Sequence, residues 1–306
     1  TCPAQIEQVL KINRSLKKVI LAKFGKEGSQ VNSTGAYQAP HKTISEALMT
    51  VREACIDAVG IEEASHVGMG LDMQARTFYM PTEDTYLVQG KVLNTTELMT
   101  FYTDLKVEFP ELSYLEDPFA AADIVGWKSA CRQFGFAPIV VADELYHSSP
   151  RMTIAGTLEK MATGACIKTS AIGTLSEAMQ SARAMHESDY RSIISRRKAE
   201  GTAVNVDIGV ALGSWGIKVG CVAGIDSGAG AFSRMLEIYE ETTTFPEDGH
   251  HYVRNDWYSM VYDDVTLPPD ASTPGTQLLA MKEAEATGVL KFHGSFTSRV
   301  DRLWDS

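Results

Sequence analysis

Two hydrophobic periods alternate along the chain. Across 5–24 the apolar residues Ile6, Val9, Leu10, Leu16, Val19 and Ile20 recur at helical spacing, which predicts a helix with one buried face. Thr43-Ile44-Ser45-Glu46 reads as a capping box opening a helix to about Val59. The apolar run 66–73 fits a strand. Asn94-Thr95-Thr96-Glu97 opens a helix that ends near Pro110, followed by a short strand over 112–115 and a helix over 123–134. In 138–142 the alternation is lost. Ile139, Val140 and Val141 are consecutive, as in a strand covered on both faces. The series continues with a helix over 153–161, a strand over 165–168, and a second capping box at Thr174-Leu175-Ser176-Glu177 whose helix runs to about His186. A strand over 191–195, a helix over 203–212, a strand over 216–219 and a helix over 227–240 complete it.

Strands that alternate with helices and are apolar throughout predict an α/β fold, a parallel sheet covered by helices. This many repeats favour a (β/α) barrel over an open sheet. About six barrel strands are present. A closed barrel takes eight, so further sequence or a partner is expected to fill the gap. From Thr243 the pattern stops. Pro268-Pro269 and Pro274-Gly275 break the remainder, and only 276–285 could be helical. The chain thus divides into a barrel domain over 1–242 and a mostly irregular C-terminal extension over 243–306. Tyr252, Trp257, Tyr258, Tyr262 and Trp304 give that extension aromatics suited either to a protein partner or to folding back on the barrel.

The 306 residues carry a net charge of −11, which argues against nucleic acid as a partner. No run approaches about 18 apolar residues, so no membrane span is expected. The five cysteines are scattered without a CxxC pair, which argues against a zinc cluster or a disulfide framework and for a reducing, cytoplasmic setting. Cys55, Cys131 and Cys166 sit among apolar residues and read as small buried hydrophobes. Thr1 opens the chain with no visible signal peptide, and a longer protein is the expectation.

In a parallel barrel the chemistry lies at the carboxyl ends of the strands. Those ends carry Asp72, Glu116, Asp143, Lys168, the run Ser195-Arg196-Arg197, and Lys218. Three crowded carboxylates repel and raise one another's pKa unless a hard divalent cation such as Mg²⁺ gathers them. The lysines opposite could hold an anionic substrate or remove a proton from it.

The ordered set Gly70-Leu71-Asp72, Leu115-Glu116-Asp117-Pro118-Phe119, Val141-Ala142-Asp143-Glu144-Leu145, Ile167-Lys168, Ile172-Gly173-Thr174, Ser195-Arg196-Arg197 and Ile217-Lys218-Val219-Gly220 resembles the C-terminal TIM barrel of the enolase family. The resemblance spans roughly 16–240. It implies an enolase-type barrel without its first strands and without the family's amino-terminal α+β domain. It further implies Mg²⁺ at Asp72, Glu116 and Asp143. Lys168 stands where the family has the base, Lys218 where a second lysine meets the substrate carboxylate, and Arg197 where an arginine meets the phosphate. The implied reaction is dehydration of 2-phosphoglycerate to phosphoenolpyruvate, a step of glycolysis.

Departures from the family pattern fall at functional positions. The family's general-acid Glu is replaced by Thr34, or by Ser33 if an insertion falls earlier. A histidine has become Arg196 and a phosphate-binding serine Lys198. Loss of general-acid help costs about 10²–10⁴ in rate. Two readings stay open. In one, a catalytically impaired relative serves as a structural or interaction component, with sperm and flagellar enolase-like proteins suggesting an axonemal setting. In the other, the protein is an active lyase acting on a small carboxylate or phosphate anion. Asp207 reads as a solvated helix residue, His250-His251 as an exposed pair, and Gly224, Gly228 and Gly230 as a tight turn.

Overall fold

Short local signals set the helix starts, and the uninterrupted apolar strands set the sheet. The computed structural model describes residues 2–32, 35–197, 202–221 and 228–244. In chain order it contains α1 (Cys2–Gly28), α2 (Ile44–Val59), α3 (Ile61–Ala64), β1 (Met69–Asp72), β2 (Tyr79–Met80), β3 (Thr85–Val88), β4 (Lys91–Leu93), α4 (Thr95–Glu108), β5 (Leu112–Glu116) and α5 (Ile124–Phe134). There follow β6 (Ile139–Ala142), α6 (Pro150–Leu158), β7 (Gly164–Ile167), α7 (Thr169–Ile172), α8 (Leu175–Glu187), β8 (Arg191–Ile194), α9 (Thr202–Ala211), β9 (Gly216–Ile217) and α10 (Ala229–Thr244).

The expected helix starts form, but of the two expected capping boxes, at α2 and α8, each makes only the N-cap half, and the full box forms at α4. Asn94 accepts from the Glu97 N–H at 3.0 Å while the Glu97 carboxylate accepts from the Asn94 N–H at 2.8 Å, so two orphan donors at the start of α4 are satisfied reciprocally. At α2 the Thr43 hydroxyl accepts from the Glu46 N–H, but the Glu46 carboxylate reaches one residue further back, to the Lys42 N–H at 2.7 Å. Pro150 starts α6 three residues before the sequence places that helix, because proline's fixed φ suits the first helical position.

Strands β1, β5, β6, β7, β8 and β9 pair side by side in chain order, every pair parallel. With helices on the outside this is the arc of an α/β barrel, as the strand–helix alternation requires. Alternate strand residues point to opposite faces. Val140, Ala142 and Ala165 join Leu115, Trp127, Tyr102, Phe119 and Met185 in the core beneath the helices. Ile139, Val141, Cys166, Ile193 and Tyr114 cluster on the other face, the barrel interior. Burial on both faces explains the missing alternation.

Some boundaries differ. The strand expected over 66–73 is β1 alone, and that over 216–219 keeps only Gly216 and Ile217, so Lys218 lies just past its end. A three-stranded antiparallel sheet, β2–β3–β4, was not expected; it stands between β1 and α4 and delivers Tyr86 and Val88 to the core. Asp207 is ion-paired with Arg234 at 2.9 Å. α10 runs two residues past the expected domain boundary, and the rest of the extension, with His250 and His251, lies outside the described residues. No helix among the described residues is long and apolar enough to cross a membrane.

Candidate active site

The parallel pairing brings the strand ends together. Asp72 and Glu116 are register partners at the ends of β1 and β5, Asp143 follows β6, Lys168 follows β7 and Lys218 follows β9. Lys218 is the hub. Its ammonium donates to both Glu116 oxygens at 2.7 Å and to Asp72 Oδ2 at 3.3 Å. Lys168 donates to Asp143 Oδ2, and its own backbone N–H is fixed by the Ser148 hydroxyl at 2.9 Å. Five residues spread over 147 positions of sequence therefore form three ion pairs on one end of the sheet, two of them sharing Lys218.

Glu116 has no exposed surface. Burial raises its pKa; Lys218 opposes this, and the Asp72 charge adds to the rise. For Lys218, burial acts to lower the pKa, but the acidic groups around it, Cys166, Glu116 and Asp72, more than offset it, and the ammonium stays charged. Of these, Glu116 and Asp72 carry the effect near neutral pH, because full burial holds the Cys166 thiol well above its ordinary range and so protonated.

Two interior neighbours were missed as site residues. Tyr114, two positions before Glu116 and so on the same face, donates its hydroxyl to Glu116 and lies 3.5 Å from Cys166 Sγ. Gly70 makes room for it: a Cβ there would meet the Tyr114 ring at 3.2 Å. Cys166 is buried as expected, yet it also faces the acids. Oxygens of Glu116 and Asp143 and the Cys166 sulfur all lie within 4.8 Å of one another. The i, i+2 rule applied backward from Glu116 and Lys168 would have found both.

Asp117 supports the floor of the site. Its carboxylate accepts from the Asp143 N–H at 2.9 Å and the Glu144 N–H at 3.1 Å, which fixes the turn that presents Asp143. Burial outweighs those donors and pushes its pKa up to about 8. Arg197 is exposed beyond β8 and close enough to His147 to add to the lowering of that imidazole's pKa, which burial dominates. Ser33, Thr34 and Lys198 lie outside the described residues.

A divalent cation fits this donor set. Glu116 and Asp143 converge, and their charges are met by the lysine ammonium groups, which an incoming cation can replace. Asp72 meets Glu116 through Lys218.

The family model for the enolase C-terminal TIM barrel domain matches residues 4–252. The enolase of Pyrococcus furiosus is 31% identical over 227 residues, covering 74% of this chain and 52% of its own length. That of Lactobacillus helveticus is 30% identical over 252 residues, covering 80% of this chain and 58% of its own. The enolase of Methanococcus maripaludis is 30% identical over 229 residues, with 74% and 52% covered. The chain spans about half the length of the curated relatives it matches.

Proposed function

The chain belongs to the enolase family through its C-terminal TIM barrel domain, and from that premise we propose that it keeps the family's site for a divalent cation and a small carboxylate or phosphate anion while its dehydration chemistry is impaired. Its main role is then that of a structural or interaction component, with 243–306 as the segment offered to protein partners. The observation that carries the binding half is the convergence of Asp72, Glu116, Asp143, Lys168 and Lys218. The impaired half rests on the sequence, where a hydroxyl residue, Thr34 or else Ser33, stands in place of an acid. A hydroxyl of very high pKa does not protonate a leaving hydroxide at neutral pH.

Glu116 and Asp143 would hold the cation, with Asp72 joining once Lys218 turns to substrate. Bound there, Mg²⁺ supplies positive charge against the enolate that proton removal creates. Lys218, drawn between Glu116 and Asp72, is placed to present its ammonium to a substrate carboxylate. Lys168 acts as a base only as the free amine, so it must first hand its proton on from the pairing with Asp143. Arg197, exposed at the rim, is available to a phosphate.

Retention of both lysines at the carboxylates favours a second reading, an active enolase. Turnover of 2-phosphoglycerate by the full chain with Mg²⁺ separates the two. The proposal expects thermal stabilisation by Mg²⁺ and the anion without turnover. Phosphoenolpyruvate formed at an ordinary rate, about 1–10³ s⁻¹, and abolished by Lys168→Ala, would replace it with the second reading.

A further inference from the structure

The amino ends of β8 and β9 border a cavity of about 780 Å³, at the opposite end of the sheet from the candidate active site. Its walls are the last turns of α8, the turn into β8 and the turn from α9 into β9. We infer that this cavity binds a free aromatic amino acid, with the ligand's ring on Trp215, its carboxylate at Arg191 and its ammonium at Asp189. None of Asp72, Glu116, Asp143, Lys168 and Lys218 lines it, so the inference stands apart from the cation site.

Charge is the first support. Of the charged groups in the walls, Arg183 and Glu187 pair with each other at 2.5 Å. Arg191 and Asp189, two residues apart at the turn into β8, form no ion pair among the described residues. The Arg191 guanidinium lies over the Phe136 ring, 5.2 Å from its centroid. A ring face attracts a guanidinium but offers no acceptor in its plane, so the in-plane N–H donors stay available. The cavity therefore presents one cation and one anion, the complement of a zwitterion. A phosphate dianion would gain Arg191 but face Asp189 and Glu187.

Shape is the second. Trp215 lines the cavity with 52% of its surface exposed, although tryptophan is a largely buried residue type. Its backbone N–H donates to the Ser192 carbonyl at 3.0 Å, which holds it beside β8. An uncovered indole fixed in this way offers a face for a second ring, and Tyr190 adds an aromatic edge to the same cavity. The volume lies within the range of about 300–1,000 Å³ usual for small-molecule sites.

A directed hydrogen-bond chain is the third. The buried Ser192 hydroxyl donates to the Ser214 hydroxyl at 3.1 Å and lies 2.8 Å from His186 Nε2. With its only proton given to Ser214, Ser192 accepts from the Nε2–H of His186. Ser214 is an acceptor in this chain and keeps its own proton, a further donor for the ligand carboxylate. Burial, with the Arg191 charge adding to it, lowers the His186 pKa. The imidazole is then neutral near pH 7, and the balance of one cation and one anion is undisturbed.

Calorimetric titration of the full chain with L-phenylalanine, L-tyrosine and L-tryptophan tests this. At least one is expected to bind, and its N-acetyl amide, which lacks both charges, at least about tenfold more weakly. Arg191→Gln and Asp189→Asn should each weaken binding about tenfold, and Trp215→Leu about fivefold, with circular dichroism showing each variant folded. Lys168→Ala, which lies at the other end of the sheet, should bind as the parent does. No heat from any of the three at millimolar concentration would overturn the inference. So would an N-acetyl amide that binds as well as its parent amino acid, a measurement that needs no variant. Adenosine monophosphate binding more tightly than all three amino acids would replace the zwitterion with a nucleotide.

Discussion

Replacing Lys218 with methionine removes the counter-charge of a fully buried carboxylate and keeps most of the side-chain volume. Lys218 Nζ lies 2.7 Å from both Glu116 oxygens and 3.3 Å from Asp72. At an effective dielectric of about 20 the Glu116 attraction is worth about 6 kcal/mol before desolvation. Much of this is offset by the cost of keeping both charges out of water, and removal of one partner of a buried pair typically costs about 3–5 kcal/mol. Lys218 is 36% exposed, so solvent screening lowers the expected loss to about 2 kcal/mol. For a domain of this size that is a fall in Tm of about 4–8 °C. Thermal unfolding of Lys218→Met without added metal reads it directly. The double variant Lys218→Met/Glu116→Gln should recover most of the loss, because no buried charge is then left unpaired. A single variant within 1 °C of the parent, or a double variant that loses more than the single, would refute the placement of Lys218 as the counter-ion of Glu116.

Asp117 sets a pH dependence. With its pKa pushed up to about 8, the folded chain holds a proton that the unfolded chain has released, so this group removes stability as pH rises from about 4 to 8, by at most about 1.4 kcal/mol per unit. Urea unfolding of Asp117→Asn at pH 5, 6.5 and 8 should show a shallower decline than the parent; equal slopes would remove Asp117 from the account. Gly156 in α6 faces the buried Tyr146 ring, which a methyl group would overlap. Gly156→Ala should cost about 1–3 kcal/mol in denaturant titration despite its better helix propensity, and a stabilised variant would contradict that packing. Tyr102 donates to the Pro118 carbonyl at 2.7 Å in the core, so Tyr102→Phe should cost about 1–2 kcal/mol by strandin that buried acceptor, and a change below about 0.3 would show the bond contributes nothing.

What the sequence determined is what depends on residues a few positions apart. Asn94 and Glu97 start α4, and Thr174 and Glu177 start α8, because a cap joins groups three residues apart whatever the rest of the chain does. The apolar run 139–142 marks a strand covered on both faces. A polar residue ending each such strand marks the reactive end of the sheet, so Asp72, Glu116, Asp143, Lys168 and Lys218 were all legible as candidates. The β2–β3–β4 sheet was missed because strands of two to four residues carry too little period to register. Its one local sign was the turn at Gln89-Gly90, where both residues have positive φ.

Tertiary structure alone decided who meets whom at the strand ends. Lys218 neutralises Glu116 across 102 residues, and Cys166, an unremarkable buried hydrophobe in the sequence, comes to face Glu116 and Asp143. Both depend on how adjacent parallel strands are staggered and how the sheet curls. Those are set by the sum of many pairings and by packing against the helices, and no local pattern encodes them. The chemistry of each residue is written in the chain, but the distance between two charges exists only once the sheet has curled to bring them together.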